Sequence, residues 1–289
     1  MRWLAALLLV ACAAPGATEV APGREAVTAM ALGPADVLAG AEAAAAAGGV
    51  AEAMAAGVAA VLPDGLVPAE TALFKRRDAG GAVWSASPLN AADWSGASWG
   101  GGTVVTMITD RHGIVSAHVP RAVGSEVRFY TRGGWPVTRT VAAKAVLAPV
   151  DGVNLDIAVA RLDAPVPSGV AVYPLAAIDA DVFAAMAGEG APVVATHAGR
   201  RATVSTLYRG TDDGLRLLLE AGSRRLGLAE DVAHAAQWGD SGHPVFAVTA
   251  DGPALLSHFH TSGLGGAGPN YADARVRAAV MDAVAGLDD

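Results

Sequence analysis

The sequence predicts an all-β domain that ends in an α-helix. From residue 103 onward, short apolar runs are separated by Gly, Pro and Asp, as is typical of antiparallel strands joined by tight turns. The period changes near the C-terminus, where Val276, Val280, Val284 and Leu287 would share one face of a helix. The chain has 289 residues and 53% hydrophobic content, which is sufficient to bury one or two modest cores.

The strand-like runs form two groups on either side of a Pro-rich passage at 163–169. The runs before the passage are 103–109, 113–119, 126–131, 137–147 and 156–162. The runs after it are 193–197, 202–208, 215–220, 244–248 and 254–261. We therefore expect the passage to carry the chain from one group of strands to the other.

Residues 13–80 differ in character, because Ala and Gly dominate them and bulky side chains are few before residue 73. The Ala-rich segment 41–61 favours a helix, although Gly48 and Gly49 would weaken it. We expect residues 13–80 to be a tether or a prosegment, or to include a helix that packs on a domain at 81–289. The basic cluster 74–78 indicates a solvated surface turn or a processing site.

The N-terminus has the features of a secretory signal. Arg2 precedes an apolar stretch that is too short to cross a membrane as a helix. The end of this stretch is similar to the bacterial lipobox, which implies a lipid anchor on Cys12, the only cysteine of the chain. We predict a signal over residues 1–12 and an exported protein, either an envelope lipoprotein or, if cleavage occurs near Ala13, a secreted or periplasmic one. No disulfide can form within the chain.

The charge pattern argues against one class of partner. The chain carries 20 Lys and Arg against 28 Asp and Glu, a net charge of −8, and its isoelectric point is near 5.3. It has no long basic run and no alternation of basic and aromatic residues. We therefore expect no nucleic-acid partner.

Three short motifs place a histidine, an aspartate and a serine in settings suited to nucleophilic catalysis. Ser241 lies in Gly-Asp-Ser-Gly directly before an apolar strand, His118 ends the segment Val-Ser-Ala-His, and Asp156 opens the run Asp-Ile-Ala-Val-Ala-Arg-Leu. A serine hydroxyl attacks a carbonyl only when a base such as imidazole accepts its proton. A buried carboxylate must then orient the ring and stabilise the imidazolium. The three residues therefore have the chemistry of a catalytic triad.

These motifs resemble those of the chymotrypsin-like serine peptidases, which read roughly T-A-A-H, D-I-A-L-L-x-L and G-D-S-G-G-P in the same order. The resemblance covers about residues 94–287 and implies two six-stranded antiparallel β-barrels, at about 94–165 and 170–289, followed by a C-terminal α-helix. Subtilisins and α/β-hydrolases carry the three residues in other orders, which disfavours those folds.

The resemblance also implies a role for each site residue. Ser241 would be the nucleophile, His118 the general base and then the general acid, and Asp156 the carboxylate that orients the ring. The backbone N–H groups of Gly239 and Ser241 would form the oxyanion hole. Many animal members carry a disulfide beside the histidine, and this chain has Val119 there, which is similar to the bacterial branch.

Two positions depart from the family pattern. His243 replaces a small residue after the nucleophile, where it would either crowd the strand or point outward. Asp240 is the residue that pairs with a new N-terminal amine after activation cleavage in many animal members. No comparable activation sequence is evident, so the partner of Asp240 stays open at this point.

Substrate preference has weaker support. The position six residues before the nucleophile is Ala235, whereas trypsin-like members that cleave after Lys or Arg have an aspartate there. His260 and Thr261 look like the corresponding segment of glutamyl endopeptidases and would bind an acidic P1 side chain, although Ala235 and Ala236 leave the pocket without a second polar donor. His258 and His260 would share a strand face, but no Cys, Asp or Glu lies nearby in sequence, and we predict no metal and no cofactor.

The sequence thus predicts an exported serine endopeptidase that acts on proteins or peptides as a monomer. A different class of function also fits the resemblance. A relative that kept the fold but lost turnover would be a surface binding protein. An intact triad argues against that alternative.

Overall fold

The computed structural model describes residues 71–77, 80–100, 104–119, 121–221, 235–249, 252–261 and 265–288. All of these residues belong to one compact unit, Ala39–Asp289. The predicted signal with Cys12, and residues 13–70 of the predicted tether, lie outside the described residues.

A five-stranded sheet contains the predicted histidine and aspartate motifs. Its strands are β3 (Thr106–Met107), β4 (His112–Ser116), β5 (Glu126–Tyr130), β6 (Pro136–Val146) and β7 (Ile157–Leu162). They pair in the order β3-β4-β7-β6-β5, and every neighbouring pair is antiparallel. All residues of β4 and all of β7 except Arg161 are buried, because alternate side chains of these strands enter two different core clusters.

A six-stranded sheet follows and contains the predicted serine motif. Its strands are β8 (Pro192–His197), β9 (Arg201–Thr211), β10 (Arg216–Ala221), β11 (Pro244–Thr249), β12 (Gly252–His258) and β13 (Gly265–Pro269). Their order is β12-β11-β8-β9-β10-β13, again with antiparallel neighbours. A bridge between Thr261 and Ala267 joins the segment after β12 to β13, so the two edges of the sheet curl toward each other.

The predicted fold class is therefore confirmed: the protein has two curled antiparallel sheets and a C-terminal helix, in the chymotrypsin-like two-barrel arrangement. The first sheet has five strands in the described part of the chain, one fewer than expected. The two sheets share a core, because one buried cluster joins Ile114 and Val159 of the first to Val194 and Phe246 of the second. The residues that follow β4 and those that precede β7 and β11 consequently lie close together at the junction of the two sheets.

The folded domain begins earlier than the predicted boundary at residue 81. A hairpin of β1 (Phe74–Arg76) and β2 (Ala82–Trp84) precedes the first sheet. Leu73 and Phe74 are fully buried, and the Phe74 ring lies 5.2 Å from the rings of Trp84 and Trp99. The segment 74–78 begins as a strand with a buried aromatic residue, so its interpretation as a surface turn was wrong for Phe74.

Two helices complete the described part of the chain. The predicted C-terminal helix is present as α2 (Ala274–Asp288), and Val276, Val280 and Val284 are its buried residues, as their spacing predicts. It packs on β6 and β7. The helix α1 (Ala180–Glu189) was not predicted, and it ends at Gly190 in the left-handed conformation that suits glycine. Among the residues that the structure describes, no helix has the length and apolarity that a membrane span requires.

The strand β13 was also missed, because Gly265–Pro269 lacks the apolar alternation that predicts strands. Gly268 is required because the backbone of β12 passes very close to it. A Cβ atom at Gly268 would lie only 1.8 Å from the carbonyl oxygen of His258. A sequence pattern reveals a strand only when the strand has apolar side chains to bury. This strand has almost none and is defined by its pairing with β10.

Candidate active site

The three predicted triad residues lie together at the junction of the two sheets. The end of β4 pairs with the start of β7 in the register Ser116 to Ile157, which places His118 beside Asp156. The Ala117 N–H group donates to the Asp156 carbonyl oxygen at 2.9 Å and extends this pairing. Ser241 comes from the turn before β11 in the second sheet.

The histidine ring lies between the carboxylate and the hydroxyl. His118 Nδ1 lies 2.6 Å from Asp156 Oδ2, and His118 Nε2 lies 3.2 Å from Ser241 Oγ. The His118 backbone N–H donates to the other carboxylate oxygen, Oδ1, at 2.7 Å. The His118 side chain is 42% exposed and the Asp156 side chain only 8%. Solvent and substrate can therefore reach the ring, while the carboxylate behind it is buried.

The local backbone around Asp156 is unusual for a non-glycine residue. Its φ is +58°, in the left-handed region that aspartate tolerates better than most residues. The Asn154 side-chain oxygen accepts a hydrogen bond from the Asp156 N–H at 3.0 Å, which closes a turn just before β7. This turn directs the carboxylate back toward β4.

Ser116 is a site residue to which sequence reasoning gave no role. Its hydroxyl donates to Asp156 Oδ2 and lies 2.8 Å from His118 Nδ1. Burial by itself would raise the pKa of Asp156, but the hydrogen bonds from Ser116 and His118 outweigh burial and hold the pKa below its ordinary value. The alternation of a strand places Ser116 and His118 on one side, which was the available signal.

The turn that carries Ser241 presents two backbone N–H groups that have no partner among the described residues. Gly239 and Gly242 have φ of +99° and +83°, so both need the freedom of glycine. Gly242 N–H donates to the Phe259 carbonyl oxygen at 2.8 Å, which fixes the turn against the end of β12. Within the described residues, the N–H groups of Gly239 and Ser241 donate to no protein acceptor. They are the groups predicted for the oxyanion hole.

Asp240 has an internal partner, which answers the question left open by the sequence. Its Oδ2 lies 2.8 Å from His197 Nδ1, and its two oxygens also accept from the backbone N–H groups of Ala198 and Gln237, each at 2.9 Å. The far side of the His197 ring, Nε2, lies 2.6 Å from Thr203 Oγ1. Burial opposes ionisation of Asp240, but His197 and the N–H groups lower its pKa to about 2.

His243 points inward rather than outward. It is 4% exposed, its Nδ1 lies 3.3 Å from Thr196 Oγ1, and its ring centroid lies 5.8 Å from that of Trp99. Burial lowers the pKa of His243 to about 3, so the ring is neutral at ordinary pH. The histidine fills space behind the nucleophile and leaves the triad distances intact.

The residues predicted to bind the substrate have different positions. The His260 ring centroid lies 5.6 Å from that of His118, and burial lowers the pKa of His260. Thr261 is exposed, and its backbone bridges to Ala267. His258 does not join His260, because it is buried and its Nδ1 lies 2.7 Å from the hydroxyl of Tyr271. Burial lowers the pKa of His258 to about 4.

One set of side chains could hold a metal ion. Ligand atoms of His118, Asp156 and His260 all lie within 4.8 Å of one another. However, both nitrogens of His118 already face protein partners, Asp156 on one side and Ser241 on the other. A metal on this set would have to displace one of those hydrogen bonds. The arrangement fits proton transfer between Ser241 and His118 better than metal coordination.

A cleft of about 770 Å³ opens beside the triad, and we call it the triad cleft. His118 and Ser241 both line it. Other residues that line it include Arg76, Trp99, Val119, Arg200, Trp238 and His243. The Trp238 side chain is fully exposed.

The fold and the site together define a chymotrypsin-like two-barrel protein with a histidine, an aspartate and a serine aligned between its sheets. No protein-family model and no curated protein matches the chain. Among solved structures, the fold is similar to that of a mutant of human heparin binding protein, with 16% sequence identity and a TM-score of 0.48. The match covers 66% of this chain and 92% of that chain.

Proposed function

We propose that the protein is a serine endopeptidase that hydrolyses peptide bonds through an acyl-enzyme. The observation that supports this proposal best is the position of the His118 ring. Its Nε2 lies 3.2 Å from the hydroxyl of Ser241, and its Nδ1 lies 2.6 Å from a buried carboxylate. A ring held in this way can accept the Ser241 hydroxyl proton at Nε2 and then donate that proton to the leaving amine.

The proposed reaction has two halves. Ser241 Oγ attacks the carbonyl carbon of the scissile bond while His118 Nε2 accepts the hydroxyl proton, and Asp156 stabilises the imidazolium that forms. The negative charge on the former carbonyl oxygen is met by the N–H groups of Gly239 and Ser241. His118 then donates its proton to the leaving amine as the C–N bond breaks. In the second half, water attacks the ester, His118 accepts a proton from that water, and Ser241 recovers it.

The proposed enzyme needs no activation cleavage. The buried carboxylate of Asp240 already has three donors, one from His197 and two from the backbone. A new N-terminal amine would therefore have no unpaired carboxylate to bind. The pairing supports an ordered nucleophile turn in the chain as it is synthesised.

We further propose that the protein is exported by a bacterium, as an envelope lipoprotein anchored through Cys12 or as a secreted or periplasmic enzyme. The support is the sequence of residues 1–12. The substrates would be proteins or peptides, and the enzyme would act as a monomer. Acidic P1 recognition by His260 and Thr261, as in glutamyl endopeptidases, rests on their similarity in sequence and on the nearness of His260 to His118.

Labelling with a fluorophosphonate probe tests the proposed chemistry. We expect purified protein that lacks residues 1–12 to be labelled, and Ser241→Ala and His118→Ala to lose the label. Ser168→Ala, which removes an exposed serine from a distant loop, is the matched control and should keep it. A wild-type protein that takes no label and cleaves no peptide of a random library would reject the peptidase and favour the surface binding protein.

A further inference from the structure

The triad cleft includes the reacting atoms but not the segments predicted to bind the P1 side chain. His118 and Ser241 line it, whereas Ala235, Ala236 and His260 do not. Those three belong to the segments expected to surround the P1 side chain. Because the cleft is not lined by these P1 segments, we assign it to the leaving amine and the residues that follow it.

The charge of this cleft is opposite to that of the whole chain. Arg76 and Arg200 line it, and no Asp or Glu is among its described lining residues. A smaller adjoining cavity of about 420 Å³ shares both arginines and adds Lys75 and Arg201. The protein as a whole has a net charge of −8, so this concentration of positive charge is local.

The backbone holds Arg200 in a conformation that arginine rarely adopts. Its φ is +60°, in the turn between β8 and β9, although Gly199 is its direct neighbour. The Arg200 carbonyl oxygen accepts from the Leu73 N–H at 2.8 Å, and its guanidinium lies 5.9 Å from the centroid of the Phe74 ring. The buried residues Leu73 and Phe74 thereby hold Arg200 at the cleft.

Arg76 is positioned from the same hairpin. A Cβ atom at Gly100 would lie 2.9 Å from Arg76 Nη2, so the guanidinium packs directly against the Gly100 backbone. Within the part of the chain that the structure describes, no carboxylate forms an ion pair with Arg76 or Arg200. Both guanidinium groups are available to a ligand that carries negative charge.

We propose that the triad cleft binds acidic side chains of the substrate on the C-terminal side of the scissile bond, with Arg76 and Arg200 as the specificity-determining residues. The inference rests on the proposed endopeptidase function and adds a substrate class to it. Trp238 supplies an exposed apolar surface beside the arginines for the same segment. Exposed ion pairs are each worth a factor of about 1.5 to 5 at moderate salt, so two pairs predict a preference of roughly tenfold.

Matched peptides test this inference. The residues before the scissile bond are taken from the peptide that the protein cleaves best in a random library. The residues after it are Asp-Glu in one peptide and Asn-Gln in the other. We expect kcat/KM to be roughly tenfold higher for Asp-Glu, and this ratio to fall toward one in 0.5 M NaCl because salt screens exposed charges. The double variant R76Q/R200Q should cleave both peptides with similar kcat/KM. The control Arg209→Gln changes an exposed arginine outside both cavities and should keep the roughly tenfold preference for Asp-Glu.

A binding measurement separates failure of this inference from failure of the proposed function. Binding of the two peptides to Ser241→Ala, followed by fluorescence anisotropy, requires no turnover. Tighter binding of Asp-Glu that depends on both arginines supports the inference even if catalysis fails. Equal cleavage and equal binding of the two peptides would overturn it while leaving the peptidase intact. Competition by inorganic phosphate without discrimination between the peptides would also overturn it and assign the arginines to a phosphate group.

Discussion

The substitution Asp240→Asn tests whether charge, rather than shape, holds the nucleophile turn. The Asp240 side chain is 7% exposed, and its pKa is lowered from 3.8 to about 2 by His197 and two backbone N–H groups. Since one pKa unit corresponds to about 1.4 kcal/mol, this shift contributes about 2 kcal/mol to the free energy of unfolding. The folded pKa is the lower one, so the contribution is complete above pH 4 and is lost as the pH falls toward 2.

We therefore expect Asp240→Asn to lower the free energy of unfolding by about 2 kcal/mol at pH 7. The difference from wild type should shrink between pH 4 and pH 2. Urea unfolding of wild type and variant, followed by tryptophan fluorescence at pH 7, 5, 4 and 3, measures the difference in the free energy of unfolding and its change with pH. Asp282→Asn, on the exposed side of α2, is the matched control and should change stability little at any pH.

The same variant connects stability to the proposed chemistry, because Asp240 lies between Gly239 and Ser241. We expect its fluorophosphonate labelling rate to fall in parallel with its stability. Since Asp240 and His197 contact each other, the double variant with His197→Gln should cost less than the sum of the two single changes. A loss of stability that is the same at pH 7 and pH 3, or strictly additive effects, would refute the view that the Asp240 carboxylate and its contact with His197 hold the turn.

Three further substitutions have expected outcomes. Ser116→Ala removes a hydrogen bond to the triad carboxylate that is worth about 1.5 kcal/mol or more, so fluorophosphonate labelling should slow about tenfold. Ser116→Thr keeps a hydroxyl and should restore most of the labelling rate. An unchanged rate in Ser116→Ala would contradict the role of Ser116. Gly268→Ala should sharply lower Tm in differential scanning fluorimetry because its Cβ would collide with a backbone carbonyl, whereas Gly188→Ala, with open space around it, should not. Val280→Ala should lower the free energy of unfolding by about 2 kcal/mol in urea, since Val280 is fully buried, and Met281→Ala, 48% exposed, should change it little.

Local patterns explain why much of the fold could be predicted. The runs around β4 and β7 combine short apolar stretches with flanking turn residues, and the valines of α2 repeat with helical spacing, so each of these elements is encoded within its own segment. The same holds for the three residues of the candidate triad. Their motifs are short and continuous, and their order along the chain matches one fold.

Contacts between distant segments explain what could not be predicted. The strand β13 is defined by its partner β10 and by the close approach of Gly268 to β12, neither of which leaves a pattern in Gly265–Pro269. His197 meets Asp240 across 43 positions of sequence. The burial of Leu73 and Phe74, which precede the predicted boundary at residue 81, could not be predicted either, because only the folded core shows what they contact.

The site contains two histidine–aspartate pairs of the same design, and their differences decide which histidine can act as a base. In each pair, one carboxylate oxygen lies close to Nδ1 of the ring and the other accepts a backbone N–H, from His118 itself or from Ala198. The His197 side chain is only 5% exposed, and its Nε2 already lies 2.6 Å from a threonine hydroxyl. His118 is 42% exposed, its Nε2 faces Ser241, and both residues line the triad cleft. The His197 pair is therefore closed on both sides of its ring, while the His118 pair leaves Nε2 beside Ser241, as the proposed proton transfer requires.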